Sequence, residues 1–211
     1  MTPKEQQLSP PGGWHEAPAP RIAPLEVSRL SLPMQTVLRI AGKLAKSRIG
    51  MAQVPDVFLL LMRNRRLFRP WLRFASRLMP NGSLDRKDAE LVILRVGWNC
   101  RSRYEWGQHV AIGQRAGLTP EEIARVGKGP DAPGWSVRQS ALLQAADDLH
   151  RDRIIAEATW KRLAEHYAAA QLIEVGMLVG HYEMLAGVLN SVGLALEPPA
   201  EEMLAQAAIH G

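Results

Sequence analysis

The sequence predicts an all-α chain, and three observations predict it. From Leu32 nearly to the C-terminus, apolar residues recur at the three- and four-residue spacing of one buried helix face. No stretch alternates apolar and polar residues with period two for more than a few positions. Capping residues and Pro/Gly breaks separate the periodic segments at helix-like lengths. With 211 residues and 46% apolar content the chain can bury one sizeable core. We therefore divide it into a proline-rich N-terminal arm (1–33), one helical domain (34–195) and a C-terminal tail (196–211).

Composition narrows the function classes. Cys100 is the one cysteine, which excludes an internal disulfide framework. No twenty-residue apolar run and no charged-then-apolar start is present, so a soluble, cytoplasmic protein without a membrane span is expected. The net charge of +5 is unevenly spread, with eleven Lys/Arg between residues 63 and 103. That surplus would attract an anionic small molecule or nucleic acid.

In chain order, residues 1–33 hold seven of the fifteen prolines and cannot form regular helix or sheet interior. They read as an arm that docks Trp14, Ile22 and Leu25 on the body or a neighbouring subunit, or as a disordered tail. Met34, Val37, Leu38 and Ala41 form a first helical stripe, and Val57, Phe58, Leu61 and Met62 a second. Arg69-Pro70-Trp71 opens the next helix with Pro70 in its first turn, ending at Pro80-Asn81-Gly82. Ser83 or Asp85 caps a helix through Val96, and Trp98 to Arg101 connects to another that starts at Ser102 and stops at Gly117. Thr119-Pro120-Glu121-Glu122 is a capped start with acidic residues in the first turn. Ser136 caps a helix past Leu149, another covers Ile155–Tyr167, a long one runs from about Ala170 to Val192, and Glu201–His210 forms a short last helix.

The chemistry concentrates between Asp85 and Gly117. Glu90 opens the apolar run Leu91-Val92-Ile93-Leu94. Ser102, Glu105 and His109 follow at i, i+3 and i+7, on one side of a helix. A carboxylate among apolar residues and a Glu/His pair one turn apart are groups that acid–base chemistry needs.

The spacing from Glu90 through Ser102 and Glu105 to His109, with RKDAELVILRV before it and AGLTPEEIARV after, resembles the signature of the carboxymuconolactone decarboxylase family. That family includes the alkyl hydroperoxidase D-like proteins, and the resemblance spans roughly residues 50–195. It implies an alkyl hydroperoxidase D-like helical bundle, assembled as trimers or hexamers. In the peroxidase branch a Cys-x-x-Cys pair stands where this chain has Ser102 and Glu105. Cys100 lies two positions too early and has no partner, so the thiol chemistry of that branch is not expected.

The expected function is a cofactor-free enzyme, decarboxylase-like or an isomerase, acting on a small oxygenated anionic substrate such as a lactone acid or keto acid. His109 and Glu105 exchange protons with the substrate, Glu90 orients His109, and Tyr104 donates a hydrogen bond. Arg95 or Arg103 holds a carboxylate, and Ser102, Trp98, Trp106 and His181 complete the substrate site. Alternatives are an oligomeric ligand-binding relative without chemistry, and a peroxidase.

Structural readings stand beside these. Ser102 and Glu105 also spell a capping box, and Trp98 and Trp106 also fit plain packing. Asp147, Asp148 and His150 read as a solvated helix end, so no metal is expected. Ala116–Ile123 resembles a helix-turn-helix elbow, but its acidic pair sits where phosphate would lie, which argues against nucleic acid.

Overall fold

The helix that carries Glu90 is the axis of the bundle. In the computed structural model, which describes residues 8–29, 32, 35–36 and 54–209, every residue from Asp88 to Leu94 is buried. A helix apolar on all sides belongs inside, with neighbours all round it. The described helices are α1 (Asp56–Leu61), α2 (Arg65–Leu78), α3 (Arg86–Asn99), α4 (Arg103–Arg115), α5 (Pro120–Val126), α6 (Val137–Asp152), α7 (Glu157–Ala164), α8 (Ala169–Val192) and α9 (Pro198–Ile209). Among the described residues there is no strand, and the fold is all-α.

Helix α3 packs against α4, α6 and α8. One core cluster fills the α3–α6–α8 side with Val92, Ile93, Val96, Leu142, Val175 and Leu178. A second fills the α3–α4–α5 side with Leu91, Leu94, Trp106, Val110, Ile123 and Val126. Removing any of these large side chains to alanine would cost about 2–5 kcal/mol.

The helix ends obey local chemistry. Asp85, not Ser83, caps α3 by accepting from the Lys87 N–H at 2.9 Å. Ser83 is drawn instead to Glu174 of α8, whose carboxylate accepts the Ser83 and Leu84 N–H groups and the Ser83 hydroxyl. Thr119/Glu122 and Ser136/Gln139 form the reciprocal capping boxes of α5 and α6.

Several boundaries differ from the sequence reading. Helix α2 starts at Arg65 under an Asn64 cap, which puts Pro70 inside the helix, not in its first turn. Helix α3 continues to Asn99, so Trp98 is helical and the connector shrinks to Cys100–Ser102, with Arg101 left-handed at φ 54°. Helix α7 is shorter than expected at both ends. The stripe from Met34 to Ala41 lies outside the described residues.

The arm wraps the body of its own chain. Trp14 packs edge-on to Trp98 at 5.6 Å and against Trp106 at 5.8 Å. Arg101 donates to the Gly12 and Gly13 carbonyls, the His15 N–H to Arg101, and the Arg21 N–H to Val192. Ile22, expected to dock, is largely exposed. Helix α8 is long and apolar enough to cross a membrane by length and composition, and half of that stretch is buried in the fold.

Candidate functional site

Helices α3 and α4 run as an antiparallel hairpin, and two glycines set how closely they approach. A Cβ at Gly97 would lie 3.3 Å from the Trp106 backbone nitrogen, and one at Gly113 would lie 3.8 Å from the Glu90 Cβ. Across this seam the His109 Nδ1 meets the Glu90 Oε2 at 2.7 Å. Glu90 has no exposed surface and His109 almost none, so this is a desolvated hydrogen bond. A carboxylate accepts, so Nδ1 carries the proton and Nε2 turns towards Glu105, whose Oε2 lies 3.7 Å away. That distance is too long for a hydrogen bond.

Glu105 is buried against this group. Burial pushes its carboxyl up to about 7 against the opposing pull of His109, and the Glu90 charge adds a smaller push upward. Near neutrality Glu105 therefore exists in both protonation states. The second Glu90 oxygen, Oε1, lies 3.1 Å from an Arg86 guanidinium nitrogen one turn back, in a contact without good hydrogen-bond alignment.

Glu105 and His109 open onto a cavity of about 280 Å³ closed by α1, α2, α4 and α8. Its wall is largely apolar, with Val57, Phe58, Trp71, Leu72, Ala75 and Leu185, and among the described residues Arg86 is the one Lys or Arg that lines it. His181 lines the same cavity, its ring stacked on Trp71 at 6.0 Å and edge-on to Phe74 at 5.5 Å. Burial, then His109, hold His181 down to about 4, and its buried Nδ1 has no hydrogen-bond partner among the described residues. A neutral imidazole with a spare polar atom thus looks into an apolar space.

The structure brings Glu90, Glu105, His109 and His181 together and sends the other expected site residues elsewhere. The Tyr104 ring touches the cavity, but its hydroxyl donates to Glu197 at 2.7 Å and accepts the Val57 N–H at 3.0 Å, so its proton is committed inside the protein. Arg95 grips Asp147 with two nitrogens, at 2.6 and 2.8 Å, and also donates to the Val126 carbonyl. Arg103 pairs with Glu201 of α9. Neither arginine lines the cavity, because each found a carboxylate partner on a distant segment.

Trp98 and Trp106 pack on each other at 5.1 Å and on Trp14, away from the cavity, so the packing reading describes them. Ser102 is buried, its hydroxyl has no partner among the described residues, and it makes no side-chain cap. The capping box read from Ser102 and Glu105 is absent because Glu105 turns to His109. The helix end at Asp147, Asp148 and His150 is not simply solvated either: Asp147 holds Arg95, and buried Asp148 accepts from Gln144 and the Ala156 N–H. In the supposed elbow, Leu118 and Ile123 are core residues.

Sequence reasoning missed Arg86, Gln108 and Glu197. The i,i+4 spacing of Arg86 to Glu90 was a usable signal. Nothing in the sequence points Gln108 and Tyr104 at Glu197, which accepts from both.

The profile of the carboxymuconolactone decarboxylase family matches residues 65–148, the segment from α2 into α6. No curated protein matches the chain. Among solved structures, the chain is similar to the alkylhydroperoxidase AhpD core of a peroxidase-related protein from Ralstonia eutropha JMP134, with a TM-score of 0.73, 19% identity, and coverage of 87% of this chain and 95% of that one. It is also similar to the debrominase Bmp8 in complex with 2,3,4-tribromopyrrole, with a TM-score of 0.73, 12% identity, and coverage of 91% and 100%. A peroxidase-related protein from Silicibacter sp. TM1040 gives a TM-score of 0.72 at 16% identity, covering 87% and 96%. At such identities the likeness is one of fold. Residues 65–148 thus match the profile of the carboxymuconolactone decarboxylase family, and the chain has the all-helical fold seen in the alkylhydroperoxidase AhpD core.

Proposed function

We propose that this protein is a cofactor-free enzyme that applies acid–base chemistry to a small, oxygenated, anionic substrate of the lactone-acid or keto-acid type, by decarboxylation or isomerisation. The observation that carries the reading is the set of Glu105 and His109 facing one apolar cavity, with Glu90 fixing the imidazole from behind. Both reactions pass through an enolate. When the bond to a departing carboxylate breaks, its electron pair moves into the enolate, and a positioned acid must deliver a proton to carbon. Glu105, held near 7, is tuned for that delivery and regains its proton from solvent, while His109 Nε2, the nitrogen without a proton, accepts the one that isomerisation removes from carbon.

Charge supports an anionic substrate. Arg65, Arg66, Arg69, Arg73 and Arg77 all stand exposed on α2, the helix that closes the cavity. A stripe of one sign beside an apolar mouth raises the local concentration of anions. A thiol peroxidase is disfavoured by position and chemistry alike. Cys100 does not line the cavity, and burial, then Glu183, push its thiol up to about 12, far from the thiolate such a reaction needs.

Turnover of 4-carboxymuconolactone and a panel of β-keto acids, followed by absorbance, tests the reading. Glu105→Gln and His109→Ala should each abolish turnover with unchanged helical circular dichroism. Full activity in both removes the proposal, and a ligand-induced melting shift without turnover in the wild type favours a binding protein.

We further propose a homo-oligomer. Ile173, Met177, Met184 and Val188 stand exposed on α8 at spacings of four and seven, an apolar stripe suited to a second copy. Light scattering at a monomer mass would dismiss it.

A further inference from the structure

A second cluster of reactive side chains lies outside the cavity. Cys100 ends α3, His150 sits in the last turn of α6, and Glu183 lies on α8. Cys100 is ten residues beyond Glu90, about 15 Å along the helix at 1.5 Å per residue. None of the three lines the cavity, so the cluster is a separate site from the one proposed there.

Three different helices aim three different ligand types at one point. The Cys100 Sγ lies 4.0 Å from the His150 Nδ1, the same Nδ1 lies 2.8 Å from the Glu183 Oε1, and all three atoms fall within 4.8 Å of one another. Zinc bonds of about 2.3 Å to sulfur and about 2.0–2.2 Å to nitrogen and oxygen put tetrahedral ligand atoms roughly 3.3–3.8 Å apart. The sulfur and nitrogen are therefore nearly at ligand separation, and the nitrogen and oxygen need to part by about 0.5 Å.

The surroundings suit a cation as well. Arg153 holds the other Glu183 oxygen, Oε2, and is itself anchored on the Leu149 carbonyl at 3.1 Å, which leaves Oε1 turned to His150. Partners of this kind, one bond removed from the metal, orient a ligating carboxylate. His150 is partly solvent-exposed, so an ion has an entry path and water a fourth position. A plain His150–Glu183 ion pair explains two of the three residues and gives no reason for a thiol directed at the same Nδ1.

We propose that Cys100, His150 and Glu183 form a three-ligand site for a borderline-soft divalent cation, zinc or its cobalt substitute, that clamps α3, α6 and α8 together. The donor set of thiolate, imidazole and carboxylate selects such ions over magnesium or calcium, which prefer all-oxygen sites. Coordination releases the thiol proton of Cys100 to solvent and leaves the proton of the neutral His150 ring on Nε2, so one negative charge on sulfur and one on Glu183 face the dication.

Titration of the full, tag-free, reduced chain with Co(II) tests this. One equivalent should bind with a sulfur-to-cobalt charge-transfer band in the near ultraviolet and the visible bands of tetrahedral cobalt. Zn(II) should displace it and raise the melting temperature. Cys100→Ser should abolish the charge-transfer band, and Arg153→Ala should weaken binding roughly tenfold. Glu105→Gln should bind as the wild type does. Absence of the band in the wild type, or a band that survives Cys100→Ser, overturns the site. If Cys100→Ser fails to fold by circular dichroism, His150→Asn decides: retained tetrahedral cobalt bands sink the proposal and their loss supports it.

Discussion

Asp88 and Glu90 are two carboxylates on one helix, both without exposed surface, and they do different jobs. Two residues apart on a helix is about 200° around the axis, so they face opposite sides of α3. Asp88 turns to the α6–α8 side, where the Tyr167 hydroxyl donates to its Oδ2 at 2.8 Å and Arg138 reaches the same oxygen from the surface. Glu90 turns to α4, where its partner is a titratable ring that itself lines the cavity. Burial raises the pKa of Asp88, with Tyr167 and Arg138 acting against it, yet these two bonded partners, a phenol and a guanidinium, keep their own protons near neutrality. Burial makes a carboxylate costly. Only a cavity and a titratable neighbour make it chemically useful.

The comparison breaks most sharply at Glu90. Glu90→Gln keeps the volume but removes the charge that orients and stabilises His109, and turnover should fall about 10²–10⁴-fold with the fold intact. Equal turnover in wild type and variant would make Glu90 a second Asp88.

Next in size is a pH effect on stability. The carboxyl of Glu105 moves from 4.5 to about 7 on folding, so the folded state binds the extra proton between those values. Stability from this group is complete below about 4.5 and is lost as pH rises through 7. Glu105→Gln should match the wild type near pH 4.5 and exceed it by about 3 kcal/mol above pH 7.5, as read by urea melts.

His181 works in the reverse sense. Its pKa falls from 6.5 to about 4, so its contribution is complete above 6.5 and disappears as pH falls through 4. Urea melts of His181→Phe should show the variant gaining on the wild type by about 3 kcal/mol between pH 7 and 4.

The smallest effects sharpen the structural half of the comparison. Asp88→Ala leaves the buried Tyr167 hydroxyl without its acceptor and should cost about 1–3 kcal/mol with turnover retained. Arg138→Ala removes only the partly exposed partner, and its cost should stay below about 1 kcal/mol. Thermal melts of the two variants separate them.

The legible part of this molecule is what a single helix fixes. The 3.6-residue repeat sets Glu105 and His109 on one face, and the apolar run around Glu90 forces that carboxylate inside, so all three could be read from spacing. The capping boxes at Thr119 and Ser136 are equally local. What escaped is what distant segments decide. Arg95 is claimed by Asp147 52 residues away, Arg103 by Glu201 at 98, and Tyr104 by Glu197 at 93. A local pattern shows that an arginine wants a carboxylate but not which one will reach it. Cys100 is the same lesson inverted: partnerless in sequence, it meets His150 across 50 residues.

Helix α2 buries a single residue, Leu78, while its neighbour α3 is buried almost throughout. A wall held by so little apolar contact separates from the body at far lower free energy than the rest of the bundle does. Hydrogen exchange should open α2 before the α3–α4 hairpin that seats Glu90, Glu105 and His109.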